Sequence, residues 1–296
     1  MHRVYSAAML LFLGCSSPPA ASRPSPEAAP RSLAADHRML TVSAGPFIKG
    51  STQAEREQAY DDYLRTAGKD AARRGKWFQY EPERRTAHLP AYRFDRAPVT
   101  QAAFAEFIAD TGNAAPTISQ EDWQAQRFIQ DYETEVKRFN WQGGKPPASR
   151  LDHPVVLVPW KQASEYCQWR GRLVGQARRL PTPDEFEKAA RGPDGAAYPW
   201  GETYDPSKLN SADLGERDTS PVASFVAGRS FRGADDVAGN VFQWTSAPWP
   251  RGDKRMTVKG SAWDDHGGLG RAAAAHGRPA QVRHVIVGFR CAASLR

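Results

Sequence analysis

A glycine-rich segment near the carboxyl end, residues 263–278, carries the side chains best suited to chemistry. Its sequence WDDHGGLGRAAAAHGR presents Asp265, His266, His276 and Arg278 as catalytic candidates. Two histidines and a carboxylate can form the facial triad of non-heme iron sites, and such ligands also suit Zn(II) or Mn(II). Histidines spaced this way in a glycine-rich loop are also often only solvated. An iron or other divalent-metal site therefore stays an open alternative.

Three arginines in or after this segment could bind an anionic ligand. Arg271, Arg278 and Arg290 each carry a planar guanidinium, which can donate paired hydrogen bonds to a carboxylate or phosphate. The same groups could instead donate to the backbone carbonyls of loops. Both interpretations stay open from sequence alone.

The cysteines restrict the redox chemistry that the chain can support. Cys15, Cys167 and Cys291 are odd in number and include no Cys-x-x-Cys pair, so we do not expect a disulfide scaffold. Cys167 shares a predicted helix face with Ala163 and Tyr166. This spacing predicts a buried structural thiol.

The first residues have the pattern of an export signal. Residues 1–15, MHRVYSAAMLLFLGC, place a charged start before an apolar run that is too short to span a bilayer. The ending resembles a bacterial lipobox, although Phe12 and Leu13 are bulkier than usual there. We therefore expect a lipid anchor on Cys15 in the cell envelope, at the outer membrane or the periplasmic face. Plain secretion is the alternative.

Composition and pattern divide the remaining chain into a tether and one folded domain. Residues 16–38 are rich in Pro, Ser and Ala and predict an unstructured tether. Residues 39–295 place helices in the middle and short strands at the end, which predicts an α+β domain. A helical insert is expected at about 113–150, and a short buried strand at 153–160.

Two helix starts are predicted with particular clarity. Thr100 is a good N-cap, and Gly112 ends the helix that follows it. Thr182, Pro183 and Glu185 combine an N-cap, a proline at the first helical position and a capping box.

The charge and aromatic content exclude some classes of protein. The formal charge is +7, but no zinc-finger or basic-zipper spacing occurs, so we expect no nucleic-acid partner. The nine tryptophans predict a loop-rich core filled by large rings. We expect Trp160, Trp200 and Trp263 in that core and not as stacking platforms.

Several motifs, in collinear order over roughly residues 40–293, resemble the sulfatase-modifying-factor (formylglycine-generating-enzyme) domain family. They are GPFIKGS at 45–51, FDRAPVTQAAFAEF at 94–107, RLPTPDEFEKAARG at 179–192, VAGNVFQW at 237–244, KGSAW at 259–263 and VGFRCA at 287–292. The resemblance implies a C-type-lectin-like fold with low regular secondary structure. Family members include copper-dependent oxidases that make formylglycine, iron-dependent sulfoxide synthases, pyoverdine maturation proteins and binding modules.

The same resemblance tests the copper chemistry. The two catalytic thiols of the oxidases would fall near Asp265 and Gly270, yet segment 263–278 contains no cysteine. Cu(I) prefers sulfur ligands, so copper is not expected and formylglycine generation is disfavoured. The His-x-x-x-His-x-Glu signature of the family's iron enzymes is also missing.

The resemblance further implies structural calcium sites. The candidate ligands are Asn210, Asp218, Ala238, Gly239, Val241 and Gln243. Gln243 stands where the family has a glutamate, so a full charge is lost and calcium affinity should fall. A hydrogen-bonded turn without an ion is the equal alternative.

Two functions follow from these observations. The first is an exported lipoprotein whose formylglycine-generating-enzyme-like domain lacks the catalytic cysteine pair and acts as a binding or accessory module of the cell envelope. Its ligand would be an unknown protein or small molecule. The alternative is a metal-dependent oxidoreductase of the non-heme iron type.

Overall fold

A computed structural model describes residues 39–250, 252 and 254–295. The predicted export signal, Cys15 and the tether lie outside these residues and stay predictions. The helices are α1 (Gln53–Ala67), α2 (Ala71–Arg74), α3 (Gln101–Thr111), α4 (Gln120–Ala125), α5 (Trp160–Leu173) and α6 (Pro183–Ala190). Across the described ranges, none of the helices has both the length and the apolar character needed to cross a bilayer.

The strands are short and pair in three small sheets within the described residues. They are β1 (Met39–Val42), β2 (Gly45–Lys49), β3 (Arg85–Leu89), β4 (Tyr92–Asp95), β5 (Phe242–Pro248), β6 (Arg255–Lys259), β7 (Ala275–Pro279), β8 (Val287–Phe289) and β9 (Ala292–Ser294). The sheet orders are β1-β4-β9, β2-β3 and β7-β6-β5-β8. Only the β5–β8 pair among these is parallel.

The two predicted helix starts are confirmed. The Thr100 hydroxyl accepts a hydrogen bond from the backbone N–H of Ala103 at 3.2 Å, and Gly112 ends α3 with a left-handed φ of 66°. At α6, the Glu185 N–H donates to the Thr182 hydroxyl at 3.1 Å, and the Thr182 N–H donates to the Glu185 carboxylate at 2.8 Å. Each cap satisfies backbone groups that a helix end leaves without partners.

Two predicted elements differ from the structure. The insert is helical in α4 and in three short turns, Tyr132–Val136, Lys137–Phe139 and Ala148–Arg150, and Arg127 interrupts it after α4 with a left-handed φ of 59°. Residues 153–160 are largely buried but form no strand. Val155 donates to Val99 and Leu157 to His284, so this segment bridges two separate parts of the core.

The core joins α3, α5 and β8 through aromatic rings and a disulfide. Phe104 stacks on Tyr166 with ring centroids 5.6 Å apart, and Phe289 meets Tyr166 edge-on at 5.3 Å. Next to them, Cys167 and Cys291 form a disulfide. Both half-cystines are fully buried. The predicted burial of Cys167 is confirmed, but the expectation of a thiol and of no disulfide was wrong.

Candidate ligand-binding cavity

A cavity of about 350 Å³ lies where β7 meets the chain segment that follows α2. Its lining combines aromatic rings with charged groups and one imidazole. These side chains include Trp77, Tyr80, Phe242, Trp249, Lys76, Arg255, Arg278, Asp265 and His276. The cavity therefore offers ring surfaces, hydrogen-bond donors and an excess of positive charge at one place.

Strand β7 positions two of the predicted site residues. It pairs antiparallel with β6, with His276 opposite Val258 and Arg278 opposite Met256. Residues two apart on a strand face the same side, and both side chains reach Phe242. The His276 ring lies 5.3 Å from the Phe242 centroid, and the Arg278 guanidinium carbon lies 5.6 Å from it.

Three of the four catalytic candidates therefore line one cavity, whereas His266 does not. Nδ1 of His266 lies 2.5 Å from the carboxylate of Asp213, and the ring meets Tyr63 edge-on at 5.8 Å. The predicted grouping of two histidines with an aspartate is therefore not formed. Over the described residues, no three His, Cys, Asp or Glu side chains converge as a metal site would require.

Burial disfavours the negative charge of Asp265, which lines the cavity, and of Asp264, which precedes it in sequence. Burial and the neighbouring Asp264 raise the pKa of Asp265 well above its ordinary value. Asp265 also accepts a hydrogen bond from the Ala262 N–H at 2.9 Å. Burial likewise raises the pKa of Asp264, although Asp264 accepts a bond from Gln130 at 2.8 Å. A raised pKa favours the neutral carboxyl, which can donate a hydrogen bond.

His276 is held in its neutral form. Burial, together with the charges of Arg278 and Lys259, lowers its pKa to about 3. Its Nε2 is buried and has no hydrogen-bond partner among the described residues. A neutral imidazole nitrogen can donate or accept according to its tautomer, so His276 can adapt to either kind of ligand atom.

Two indoles approach the cavity over glycine backbone. The Trp249 indole lies so close to β7 that a Cβ on Gly277 would come within 2.6 Å of it. A Cβ on Gly75 would meet the Trp77 indole nitrogen at 2.2 Å. Tyr80 meets Trp249 edge-on, with ring centroids 5.6 Å apart. Only glycine at these two positions leaves room for the present ring positions.

Sequence analysis did not identify Trp77, Tyr80 or Trp249 as site residues. They come from two segments that lie far from 263–278 in sequence, and nothing local in either segment indicates a cavity. The signal that could have identified Trp77 is a large ring in a strongly charged stretch, where it is 36% exposed. Of the tryptophans expected in the core, Trp263 is fully buried, and Trp160 and Trp200 are half-buried.

The other two candidate arginines are structural. Nη1 of Arg271 donates to both carboxylate oxygens of buried Glu81 at 3.0 Å. Arg290, fully buried, donates to the backbone carbonyls of Asp95, Arg96, Asp235 and Asp236 and to the side-chain oxygen of Gln243. For Arg290 the structure therefore supports the interpretation in which the guanidinium donates to backbone carbonyls of loops. Arg271 instead pairs with a carboxylate of the protein itself, and its buried Nη2 has no partner in the described residues.

The donors predicted for calcium do not fit that ion as arranged. The Gln243 amide oxygen accepts from Arg290, and the Asp218 carboxylate accepts from Arg150 at 2.5 and 2.8 Å. Asn210 donates to the Asp218 carbonyl at 2.7 Å, which leaves its own buried Oδ1 without a partner in the described part. The guanidinium groups of Arg290 and Arg150 thus lie against Gln243 and Asp218, where calcium would otherwise supply the positive charge.

Copper also lacks its ligands in the cavity. Asp265, at one of the two positions that the resemblance gives to catalytic thiols, lines the cavity, and Leu269 adjoins the other, Gly270. No cysteine is among the cavity residues. Cys167 and Cys291 are used in the buried disulfide of the core, so the residues present do not fit a Cu(I) thiolate centre.

A match to one protein family decides to which family the chain belongs. The model of the sulfatase-modifying factor enzyme 1-like domain matches residues 24–295. The chain belongs to this family. The sequence-based assignment and the C-type-lectin-like α+β fold are thereby confirmed.

The relatives include both non-catalytic and catalytic proteins. The inactive C-alpha-formylglycine-generating enzyme 2 of Bos taurus is 36% identical over 146 residues, which are 44% of this chain and 46% of that protein. The hercynine oxygenase of Mycolicibacterium smegmatis is 32% identical over 56% of this chain and 41% of its own length. The chain thus spans about half the length of these curated relatives.

A solved structure confirms the fold over most of the domain. PvdO from Pseudomonas aeruginosa superposes with a TM-score of 0.66 at 20% identity and covers 87% of this chain and 94% of its own. At that identity, the likeness concerns the fold alone.

Proposed function

We propose that this protein is a lipid-anchored, extracytoplasmic binding module that does not generate formylglycine. The observation that supports this proposal most directly is the composition of the cavity. It lies at the place that the resemblance assigns to paired thiols, and it contains a carboxyl group, an imidazole, cationic groups and rings but no sulfur. The similarity to an inactive formylglycine-generating enzyme supports a non-catalytic variant.

Two further features support an extracytoplasmic location. The Cys167–Cys291 disulfide suits an oxidising compartment such as the periplasm or cell surface, where disulfides persist. The export-type sequence ends at Cys15, and lipidation of this cysteine with two or more acyl chains would attach the protein stably to a membrane.

Co-expression with a sulfatase tests the loss of oxidase activity. Peptide mass spectrometry of the sulfatase should find the unmodified cysteine whether or not this protein is present, and the purified protein should lose Cu(I) to a competing chelator. Formylglycine that depends on this protein would overturn the proposal. A known active formylglycine-generating enzyme, expressed in the same way, is the positive control.

Metabolic labelling with an alkyne fatty acid tests the anchor. The wild-type chain should be labelled and recovered with membranes, whereas Cys15→Ser should be unlabelled. Cys167→Ala with Cys291→Ala should keep the label, because neither residue lies in the export signal. Equal labelling of wild type and Cys15→Ser would exclude lipidation at this cysteine.

A metal-dependent oxidoreductase is the second candidate, favoured by the similarity to hercynine oxygenase and by the partnerless Nε2 of His276. Asp265 and His276 would be the cavity ligands, but His266 binds Asp213 and leaves the set incomplete. Iron analysis of protein purified without oxygen distinguishes the candidates. Stoichiometric iron that is lost in His276→Ala would favour the oxidoreductase over the binding module.

A further inference from the structure

We propose that the cavity binds a small molecule in which an oxyanion is attached to a ring. The inference rests on the proposed binding function and names its ligand class. It depends on three properties of the lining: the balance of charge, the donors that lack partners, and the ring surfaces.

The charge of the lining favours an anion. Among the described residues of the lining, Lys76, Arg255 and Arg278 are cationic, and Asp265 is the one acidic side chain. Burial and Asp264 raise the pKa of Asp265, so its carboxyl opposes an anion less than an ordinary aspartate would.

The polar atoms without partners add donors. Trp249 is only 6% exposed, and its indole Nε1 has no acceptor in the described part of the chain. Nε of Arg278 is likewise buried without an acceptor there. Both atoms can only donate, and a buried donor without an acceptor is costly, so a ligand rich in acceptor oxygens complements them.

The rings supply the remaining complementarity. Trp77, Tyr80 and Trp249 belong to the lining, and the glycines beneath the two indoles permit their present positions. Aromatic faces bind other flat rings and the apolar faces of sugars. A bare oxyanion would use the donors and leave these faces in water. A ring that carries the oxyanion uses both.

Calorimetric titration of the full chain with four probes tests this ligand class. The probes are phenyl phosphate, glucose 6-phosphate, inorganic phosphate and phenol. At least one ring-borne phosphate should bind ten times more tightly than both inorganic phosphate and phenol, and the preferred probe distinguishes an aromatic from a sugar ring. Raising the salt from 50 to 500 mM should weaken the preferred probe, because screening reduces charge attraction.

Single-residue variants test whether the probes bind in this cavity. Arg278→Gln should weaken the preferred ring phosphate at least tenfold, while the exposed Arg85 on β3, changed to Gln, should leave it within twofold. Trp249→Phe keeps a ring but removes the donor and should weaken binding at least threefold. Lys76→Gln provides a second charge test if Arg278→Gln does not fold, because Lys76 is exposed.

Opposite results separate this inference from the proposed function. Phenol that binds as tightly as phenyl phosphate, and is weakened by Trp249→Phe, would overturn the oxyanion while keeping a binding module. Ring phosphates that fail to bind, or that bind equally to wild type and to both charge variants, would overturn the ligand class. Formylglycine in a co-expressed sulfatase would instead overturn the binding function itself.

Discussion

Arg278 lies on β7 and Arg290 directly follows β8, the two edge strands of the same four-stranded sheet, and their environments are opposite. Arg290 donates to four backbone carbonyls and one side-chain oxygen, and it joins the end of β4 to the segment before β5. Arg278 lines a cavity, and its buried Nε has no acceptor in the described residues. The difference teaches that a buried arginine is a ligand candidate when it both lines a cavity and keeps a donor that no protein acceptor uses.

The Arg290 region should be the more costly one to damage. Arg290→Met would leave the carbonyls of Asp95 and Asp235 buried without their donor, and we expect a loss of about 4–5 kcal/mol in the free energy of unfolding. Arg278→Met should lose less than about 1 kcal/mol, because fewer protein acceptors depend on it. Urea denaturation measures both. Equal losses would remove the distinction between the two regions.

The disulfide extends the same structural region and should have the next largest effect. Its half-cystines are 124 residues apart in sequence. Replacing both Cys167 and Cys291 by Ala should lower the free energy of unfolding by about 3–4 kcal/mol, because the unfolded chain regains its freedom. Probe affinity at 15 °C should stay within twofold, since the cavity contains neither residue. A variant that loses binding while it remains folded would contradict the separation.

Gly277 provides a smaller and more local test of the cavity. A methyl group there would force the Trp249 indole away from β7, so Gly277→Ala should cost about 1–3 kcal/mol of stability. Tryptophan fluorescence should shift towards the red as the ring becomes exposed. Gly192→Ala is the matched control for steric space, because nothing lies within 4 Å of its added Cβ and its φ is not left-handed. An unshifted spectrum in Gly277→Ala would contradict the close approach.

His276 should make the stability depend on pH. Its pKa is about 3 in the folded chain against an ordinary value of 6.5, so the unfolded state binds one more proton between these values. Stability contributed by neutral His276 is complete above pH 6.5 and is lost as the pH falls towards 3. His276→Gln should reduce the slope by about 1.4 kcal/mol per pH unit near pH 4–5.

The control for this slope is the exposed His88 on β3. Replacing His88 by Gln should leave the pH dependence of unfolding close to that of wild type. The same slope in wild type and His276→Gln would show that His276 can take up a proton without unfolding, and it would contradict the buried neutral imidazole.

Lys76 should have the smallest effect on stability. It occupies a left-handed φ of 52°, which glycine adopts without strain. Lys76→Gly should therefore change the free energy of unfolding by no more than about 1 kcal/mol, with stabilisation as the expected sign. Affinity for the ring phosphates should nevertheless fall, since one positive charge leaves the cavity. A gain in that affinity would contradict the charge argument.

Local sequence signals predicted the parts of the fold that depend on neighbouring residues. The caps at Thr100 and Thr182 were predictable because each needs only residues within three positions. The Cys167–Cys291 pair was missed because a sequence shows neither the approach of α5 to the end of β8 nor the distance between the two sulfurs. The hydrogen bond from Arg290 to Gln243 was missed for the same reason, because the two residues are distant in sequence.

Only the part of the candidate site that comes from residues 263–278 was predictable from the sequence. Asp265, His276 and Arg278 share a short segment, and the strand period of β7 brings two of them together. Trp77, Tyr80 and Trp249 belong to distant segments, so their arrival at the cavity depends on packing of the whole domain. Proximity in sequence also grouped His266 with Asp265 and His276, but the segment before β7 places the His266 ring against Asp213.

The strand order has a consequence for the moment at which the domain can fold. β9 borders β4, and β8 borders β5, so residues 287–294 complete two sheets and bring Cys291 to its partner. A growing chain that has not yet reached residue 287 lacks one edge strand of each of these two sheets and the cross-link. Under the proposed export, such a chain would pass a narrow translocation channel before the two sheets and the disulfide close.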